Sequence, residues 1–382
     1  MITAQLFYDL LTQGGVGFFA GVPDSLLKSF CAYVTDHAGP AQHSIAVNEG
    51  AAVALAAGYH LATGKIPLVY MQNSGIGNAV NPLLSLADVT VYSIPMVLVI
   101  GWRGEPSGAK DEPQHLKQGK VTLPLLQAMD IPYTVVAENE AECRSQLDAC
   151  LRSTLEKNAP HALVIRAGLF APYALRTQEP DPGHLSREEA IAILLDASSQ
   201  PEGIYVSTTG MASRELYEIR ERLGQGHDQD FLTVGSMGHA SQIALGMALQ
   251  KPDMPVTVLD GDGALLMHLG ALAAIGDAKP ANFRHIILNN GAHDSVGGQP
   301  TLGLKIDIPA IAKGCGYAAA KTLTTAAELR AALAEKPSAG KNPGPILLEI
   351  RVRKGARSDL GRPGSTPEAN KRRLMRHIKD QP

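Results

Sequence analysis

Short runs of aliphatic and β-branched residues alternate with amphipathic stretches along nearly the whole chain, and many of the short runs end abruptly in a polar or glycine-rich cluster. The clearest pair is 256–259 and 285–288, which end in Asp260-Gly261-Asp262-Gly263 and in Asn289-Asn290-Gly291. Apolar runs of that length bounded by turn signals predict parallel strands buried on both faces, with 265–275 as the crossover helix between them. The same alternation predicts helix 4–13, strand 16–19, a helix beyond Pro23 with Asp24 or Ser25 near its N-cap, strand 44–47, an alanine-rich helix ending at Thr63-Gly64, and strand 65–71. A strand in PMVLVIGWRG, strands 131–135 and 162–165, and a helix from 139 to about 156 complete a first series. The stretch EPSGAKDEPQHLKQGK is too rich in glycine, proline and charge for a regular element and reads as a loop covering a strand end. A second series holds strands 203–207 and 230–234, helices 213–223 and 240–249, a short run at 315–318, helix 326–333 and strand 345–352. Strands alternating with helices predict α/β architecture with two doubly wound parallel-sheet domains. The expected divisions are 1–170, a proline-rich linker at 171–186, a second domain at 187–355, and a basic tail with a short helix at 356–382.

With 382 residues the chain can build two substantial cores. A net charge of −3, without a long basic tract before the tail, argues against a nucleic-acid partner. Its apolar runs are of strand length, which argues against a membrane span. The opening MITAQLFYDLLTQGG lacks a basic start followed by an apolar stretch, so a cytoplasmic protein is expected. Cys31, Cys143, Cys150 and Cys315 have neither metal-ligand nor disulfide-framework spacing and suit a reducing compartment.

Candidate chemistry collects at the predicted strand ends. Asp262 and Asn290 stand side by side if their strands are neighbours, and a carboxylate, an amide oxygen and a backbone carbonyl are hard ligands suited to Mg²⁺. Gly261 and Gly263 would let a diphosphate approach the backbone, and the following helix would offer it free N–H groups. Glu49 is an isolated acid among apolar residues, so its carboxyl is expected to be desolvated and to need a hydrogen-bond partner, unless it serves only as a helix cap. Asp24 either caps its helix or takes part in proton transfer. His115 is the side chain of its loop able to move protons near neutral pH, or else a plain exposed histidine. The loops Thr208-Thr209-Gly210 and Gly235-Ser236-Met237-Gly238-His239 bring glycines and hydroxyls to two further strand ends. Met237 could be core, and Asn78 could serve packing or a cofactor.

Gly261-Asp262-Gly263 with Ala264, followed by Asn289-Asn290, resembles the metal and diphosphate signature of thiamine-diphosphate enzymes. The segments GVPDSLLK, VNEGAA, TTGMASRELY, VGSMGHAS and NNGAHDSVGGQPT extend the likeness over nearly the whole chain, to the 2-oxo acid decarboxylases of that family. The resemblance implies that Asp262, Asn290 and the carbonyl of Ala292 hold Mg²⁺. It implies that Thr209, Gly210, Gly235, Ser236, Gly261, Gly263 and Ala264 line thiamine diphosphate, with Met237 beneath its rings. Glu49 would bond the aminopyrimidine, while Asp24 and His115 would carry the proton transfers that finish the reaction. The linker is too short for the third, central domain of larger relatives. The resemblance also implies a homodimer or higher homo-oligomer, with Glu49 and Asp262 meeting at subunit boundaries. The substrate implied is a small anionic 2-oxo acid. Arg351, Arg353, Lys354, Arg357 and Arg362 offer cationic donors for a phosphonate-like substituent, with a solvated terminus as the alternative. Where larger decarboxylases place a glutamate, this chain has HDSVGGQPT, and that glutamate's role is not carried to Asp294 or Ser295. A carboligase using the same cofactor and a non-catalytic scaffold remain the competing readings.

Overall fold

Buried on both faces, the aliphatic runs become the centres of two parallel sheets. The computed structural model describes residues 1–109, 111–177, 180–181, 184–196, 203–335 and 344–380. Gln178, Glu179, Pro182 and Gly183 of the expected linker lie outside the described residues, as does Lys110 in the expected loop. The chain divides into two units, Met1–Glu179 with Ser295–Gln299, and Pro180–Asp294 with Pro300–Pro382.

The first unit runs α1 (Ala4–Gln13), β1 (Val16–Gly21), α2 (Lys28–His37), β2 (His43–Ile45), α3 (Glu49–Thr63), β3 (Ile66–Gln72), α4 (Ile76–Pro82), β4 (Met96–Gly101), α5 (Pro113–Ala128), β5 (Tyr133–Val135), α6 (Glu140–Lys157) and β6 (Pro160–Ile165). Its strands are all parallel, in the order β2-β1-β3-β4-β6-β5. Strand β4 shows why: Val97 and Val99 enter one core with Phe7 and Phe19, while Met96, Leu98 and Ile100 enter the other with Ala52 and Ile76. Each such burial contributes roughly 1.5–3 kcal/mol and requires a helical layer on each side of the sheet.

The second unit runs α7 (Arg187–Leu195), β7 (Ile204–Ser207), α8 (Met211–Arg222), β8 (Asp230–Leu232), α9 (Ala240–Gln250), β9 (Val256–Gly261), α10 (Asp262–Met267), α11 (Ala271–Ala278), β10 (Phe283–Asn289), α12 (Ile308–Gly314), β11 (Ala319–Leu323), α13 (Ala326–Ala334), β12 (Ile346–Arg351) and α14 (Pro367–Asp380). Its parallel sheet has the order β11-β12-β10-β9-β7-β8. Helix α7 opens with a capping box: the Ser186 hydroxyl accepts from Glu189 N at 3.1 Å, and the Glu189 carboxylate accepts from Ser186 N at 2.7 Å.

Three expectations change. His115 stands on helix α5 rather than in a loop. That helix buries Gly119, Thr122 and Leu126, a stripe too poor in large apolar residues to show in the sequence, and Pro113 suits its first turn. The crossover 265–275 is two helices, because the backbone leaves helical geometry at His268 (φ −136°, ψ 51°) ahead of Gly270. Asp24 lies upstream of α2, whose cap position is Leu27, and accepts instead from Leu26 N and Leu27 N in the preceding turn.

One buried and one partly buried histidine give the first unit an acid sensitivity. His43 meets the Tyr70 hydroxyl at 2.9 Å and His161 meets the Thr134 hydroxyl at 3.1 Å, and burial lowers each to about 4. A histidine depressed in the folded state binds its proton more readily when unfolded, so the stability it lends is present above the unfolded value near 6.5 and is lost as pH falls toward 4. Urea denaturation is expected to show a loss of roughly 2 kcal/mol per histidine between pH 7 and pH 5. Replacing both by Gln should flatten that dependence, and an unchanged slope in the double variant would refute the assignment.

Candidate active site

Ligands in doubly wound sheets bind beyond the carboxyl ends of the strands, where the winding reverses. In the first unit the reversal falls between β1 and β3, in the second between β7 and β9. The sequence-predicted residues lie at these places and at the neighbouring strand ends.

In the first unit, Asp24 follows β1 and is fully buried. Its Oδ1 accepts from Gln72 Nε2 at 2.7 Å, and its Oδ2 accepts from Leu26 N at 2.8 Å. A Cβ on Gly101 would come within 2.2 Å of Oδ2, so the end of β4 has room for this carboxyl only as glycine. Burial raises the pKa of Asp24, against the opposing pull of those hydrogen bonds and of Arg103. The Arg103 guanidinium grips Asp111 through Nε at 2.8 Å and Nη2 at 2.5 Å, and donates from Nη1 to the Ser25 hydroxyl at 2.8 Å. Asp111 also accepts from Gly104 N and Glu112 N, which anchors the start of α5 and with it His115. Burial, followed by the charge of Arg103, lowers the pKa of His115, whose Nδ1 is buried without a partner.

Glu49 is the first residue of α3 and is 5% exposed. The N-cap role belongs to Asn48, whose Oδ1 accepts from Ala51 N at 2.8 Å, so Glu49 is left for other work. Its Oε2 accepts from Asn78 Nδ2 at 2.8 Å, while Oε1 presses on Gly75, where a Cβ would stand 2.3 Å away. Asn78 is thus the partner that the isolated acid required. Gln72, Arg103 and Asp111 went unmarked in the sequence; the position of Gln72 at the end of a strand beside the winding reversal was the signal available for it.

In the second unit, β9 and β10 pair in register through Leu288 with Gly261 and deliver the two polar clusters to adjacent strand ends. Asp262, 2% exposed, opens α10, and its carboxylate accepts a short hydrogen bond from the Thr301 hydroxyl. Asn290 is 3% exposed, with its Oδ1 accepting from Ala292 N at 3.0 Å. Gly303 lies so close that a Cβ there would meet the Asp262 side chain at 2.6 Å. Burial without a cation raises Asp262 to about 6. Among the described residues no group of three His, Cys, Asp or Glu is placed to hold a metal, and the donor set expected here is instead one carboxylate, one amide and one carbonyl. A buried carboxylate whose side-chain partner is the neutral Thr301 hydroxyl, beside an oriented amide oxygen, fits a hard divalent cation.

Across the winding reversal, Thr208 N donates to Leu259 O at 2.7 Å, and the Thr208 hydroxyl is buried without a partner. That orphaned group fits an absent polar ligand, and it sits one residue before the expected Thr209. Gly210 (φ 95°) and Ser236 (φ 53°) adopt left-handed backbone in the two glycine-rich loops. The Met237 Cε reaches to 3.5 Å of a Cβ built on Gly263, and His293 flanks the same point at 3.0 Å. Gly235, Gly261 and Ala264 lie in the same strand-end loops and helix start.

The basic tail is placed differently from the anion-binding cluster expected. Arg357 donates from Nε to Glu188 at 2.9 Å and from Nη2 to Glu218, Arg351 faces buried Glu349 at 2.8 Å, and Arg353 faces Glu189 at 3.4 Å. Carboxylates of the same unit face these guanidiniums. Asp294 likewise accepts from Asn290 and Arg187.

Comparison with known proteins agrees with the two-domain fold. Residues 1–121 match the N-terminal TPP binding domain of thiamine pyrophosphate enzymes, and residues 208–350 match the C-terminal TPP binding domain. The phosphonopyruvate decarboxylase of Streptomyces viridochromogenes is 39% identical over 100% of this chain and 96% of its own length. That of Streptomyces hygroscopicus is 38% identical over 98% and 93%. A sulfopyruvate decarboxylase of Methanosarcina acetivorans is 29% identical over 81% of each chain. The two matched domains make this a thiamine-diphosphate enzyme without a third domain between the two. Within that class the chain belongs to the 2-oxo acid decarboxylase family that contains phosphonopyruvate decarboxylase, and it is accordingly a carboxy-lyase.

Proposed function

We propose that this protein converts 3-phosphonopyruvate to phosphonoacetaldehyde and CO₂, with thiamine diphosphate as cofactor and Mg²⁺ as its anchor. The likeness to two phosphonopyruvate decarboxylases over nearly the full length of both partners carries this reading. When bound, thiamine diphosphate supplies a carbanion that attacks the 2-oxo group and an electron sink for the pair released as CO₂ departs.

The remaining work falls to the chain. Asp262, Asn290 and the Ala292 carbonyl would hold Mg²⁺, and the Thr208 hydroxyl and the backbone at Thr209, Gly210, Gly235, Ser236, Gly261, Gly263 and Ala264 would receive the diphosphate end. Met237 would support the rings from below. Glu49, fixed by Asn78, would hold and pass a proton on the aminopyrimidine. The product aldehyde needs a proton where the carboxylate was, for which Asp24 is the proposed donor, and His115 would assist release of the aldehyde as a base. Asp24 is held toward its protonated form by burial, and His115 toward its neutral form.

Exposed apolar side chains on and near α3 and α4, namely Leu55, Leu61, Leu84, Val91 and Tyr92, support a homo-oligomer in which active sites form at subunit boundaries. The four cysteines are free, which supports a cytoplasmic setting. Among the described residues no helix is long and apolar enough to cross a membrane.

CO₂ release from a panel of 3-substituted pyruvates, in the presence of thiamine diphosphate and Mg²⁺, tests the substrate. The highest kcat/KM is expected for phosphonopyruvate. A preference for sulfopyruvate, or no CO₂ from phosphonopyruvate, would overturn the assignment.

A further inference from the structure

We infer that Asp294 is the positioning residue of the metal site, and that it acts by fixing which end of the Asn290 amide faces the cation. The inference rests on the Mg²⁺ reading above. An amide ligand must offer its oxygen to a cation, because its NH₂ end repels one. Rotation of the Asn290 side chain by half a turn would therefore exchange a ligand for a repulsive group. Two bonds forbid that exchange. Asn290 Nδ2 donates to Asp294 Oδ2 at 2.6 Å, and Asp294 in its ionised form can only accept. On the other side Ala292 N donates to Asn290 Oδ1 at 3.0 Å and leaves that oxygen a second lone pair for a metal.

Asp294 is itself held from three directions. Its Oδ2 also accepts from Gly355 N at 2.9 Å and from Arg187 Nη1 at 3.3 Å. Arg187, 8% exposed at its side chain, is locked bidentately to Glu215 through Nε at 2.6 Å and Nη2 at 2.9 Å, and reaches Gly355 O at 3.3 Å. The array Glu215–Arg187–Asp294–Asn290 therefore runs from helices α7 and α8 to the metal loop, and its single guanidinium offsets one buried and one partly buried carboxylate. Outer partners of metal ligands are worth about 10–100-fold in metal affinity.

The test is a Mn²⁺ titration of the thiamine-diphosphate-saturated protein, followed by electron paramagnetic resonance, together with calorimetric titration of thiamine diphosphate at fixed Mg²⁺. Asp294→Ala is expected to weaken Mn²⁺ by about 10–100-fold, with kcat recovering at saturating metal. Asp294→Asn, which keeps the shape but loses the charge, is expected to weaken it at least about threefold and serves if the alanine variant does not fold. Mn²⁺ affinity within twofold of wild type in either folded variant overturns the inference, as does a kcat that saturating metal fails to restore. A wild-type protein that binds thiamine diphosphate equally well without a divalent ion would overturn the Mg²⁺ reading itself, an outcome visible before any variant is made.

Discussion

Glu49→Gln is expected to lower turnover by about 10²–10⁴-fold, the range usual for a proton-transfer group, while thiamine diphosphate still binds within a few-fold of wild type. The reasoning is local. Glutamine keeps the volume, so the close packing against Gly75 survives, and its carbonyl can still accept from Asn78 Nδ2. What disappears is the ability to hold and release a proton. Two measurements separate this from a structural defect: calorimetric binding of thiamine diphosphate, and the absorption band of the iminopyrimidine tautomer, which should vanish from the variant. Near-normal turnover in Glu49→Gln would remove Glu49 from the proposed mechanism.

Asp262→Asn is expected to move two observables in opposite directions. Metal-dependent binding of thiamine diphosphate should weaken by about 100-fold or more, since the charged ligand of the cation is lost. The metal-free protein should become more stable at pH 8. Burial raises the folded-state pKa of Asp262 to about 6, so its stabilising effect is complete only below the unfolded value and is lost as pH rises through the folded one. At pH 8 the ionised group costs about 3 kcal/mol, which the amide does not incur. Thermal melts of the metal-free proteins at pH 8 and pH 5 measure this, with the gain expected to shrink at the lower pH. A variant that binds cofactor normally, or melts lower than wild type at pH 8, would contradict the role given to this carboxylate.

The strands were legible because burial on both faces leaves an unbroken aliphatic run and an abrupt polar end. β4, with Met96, Leu98 and Ile100 toward one core and Val97 and Val99 toward the other, is the clearest case. Asp262 and Asn290 were legible as a pair for the same reason, since parallel neighbours place the ends of their runs side by side. Helix α5 was not, because its buried stripe includes Gly119 and Thr122, chosen for close approach rather than apolarity: a Cβ on Gly119 would meet Gly104 O at 1.6 Å. Partnerships across long separations were also hidden. Nothing near Arg357 in the chain announces that Glu188 and Glu218 take up its guanidinium, and an exposed cation and a paired one read alike. Gln72 and Thr208 became informative only once the strand order showed where the winding reverses.

The order of strands in the second sheet sets a timetable for biosynthesis. β12 is the last strand to leave the ribosome, yet it lies between β10 and β11, and the segment just beyond it supplies the Gly355 N–H to Asp294. Until residues 346–355 emerge, β11 lacks its neighbour, β10 shows an open edge after the metal loop, and one of the donors holding Asp294 is missing. The first unit, by contrast, has all its strands once residue 165 has been made, apart from the five residues 295–299 grouped with it. A nascent chain interrupted before residue 346 would thus carry a first sheet with every strand present and a second in which β11 has no place beside β10. Newly made protein should gain cofactor affinity in one late step, when residues 346–355 emerge and β12 pairs.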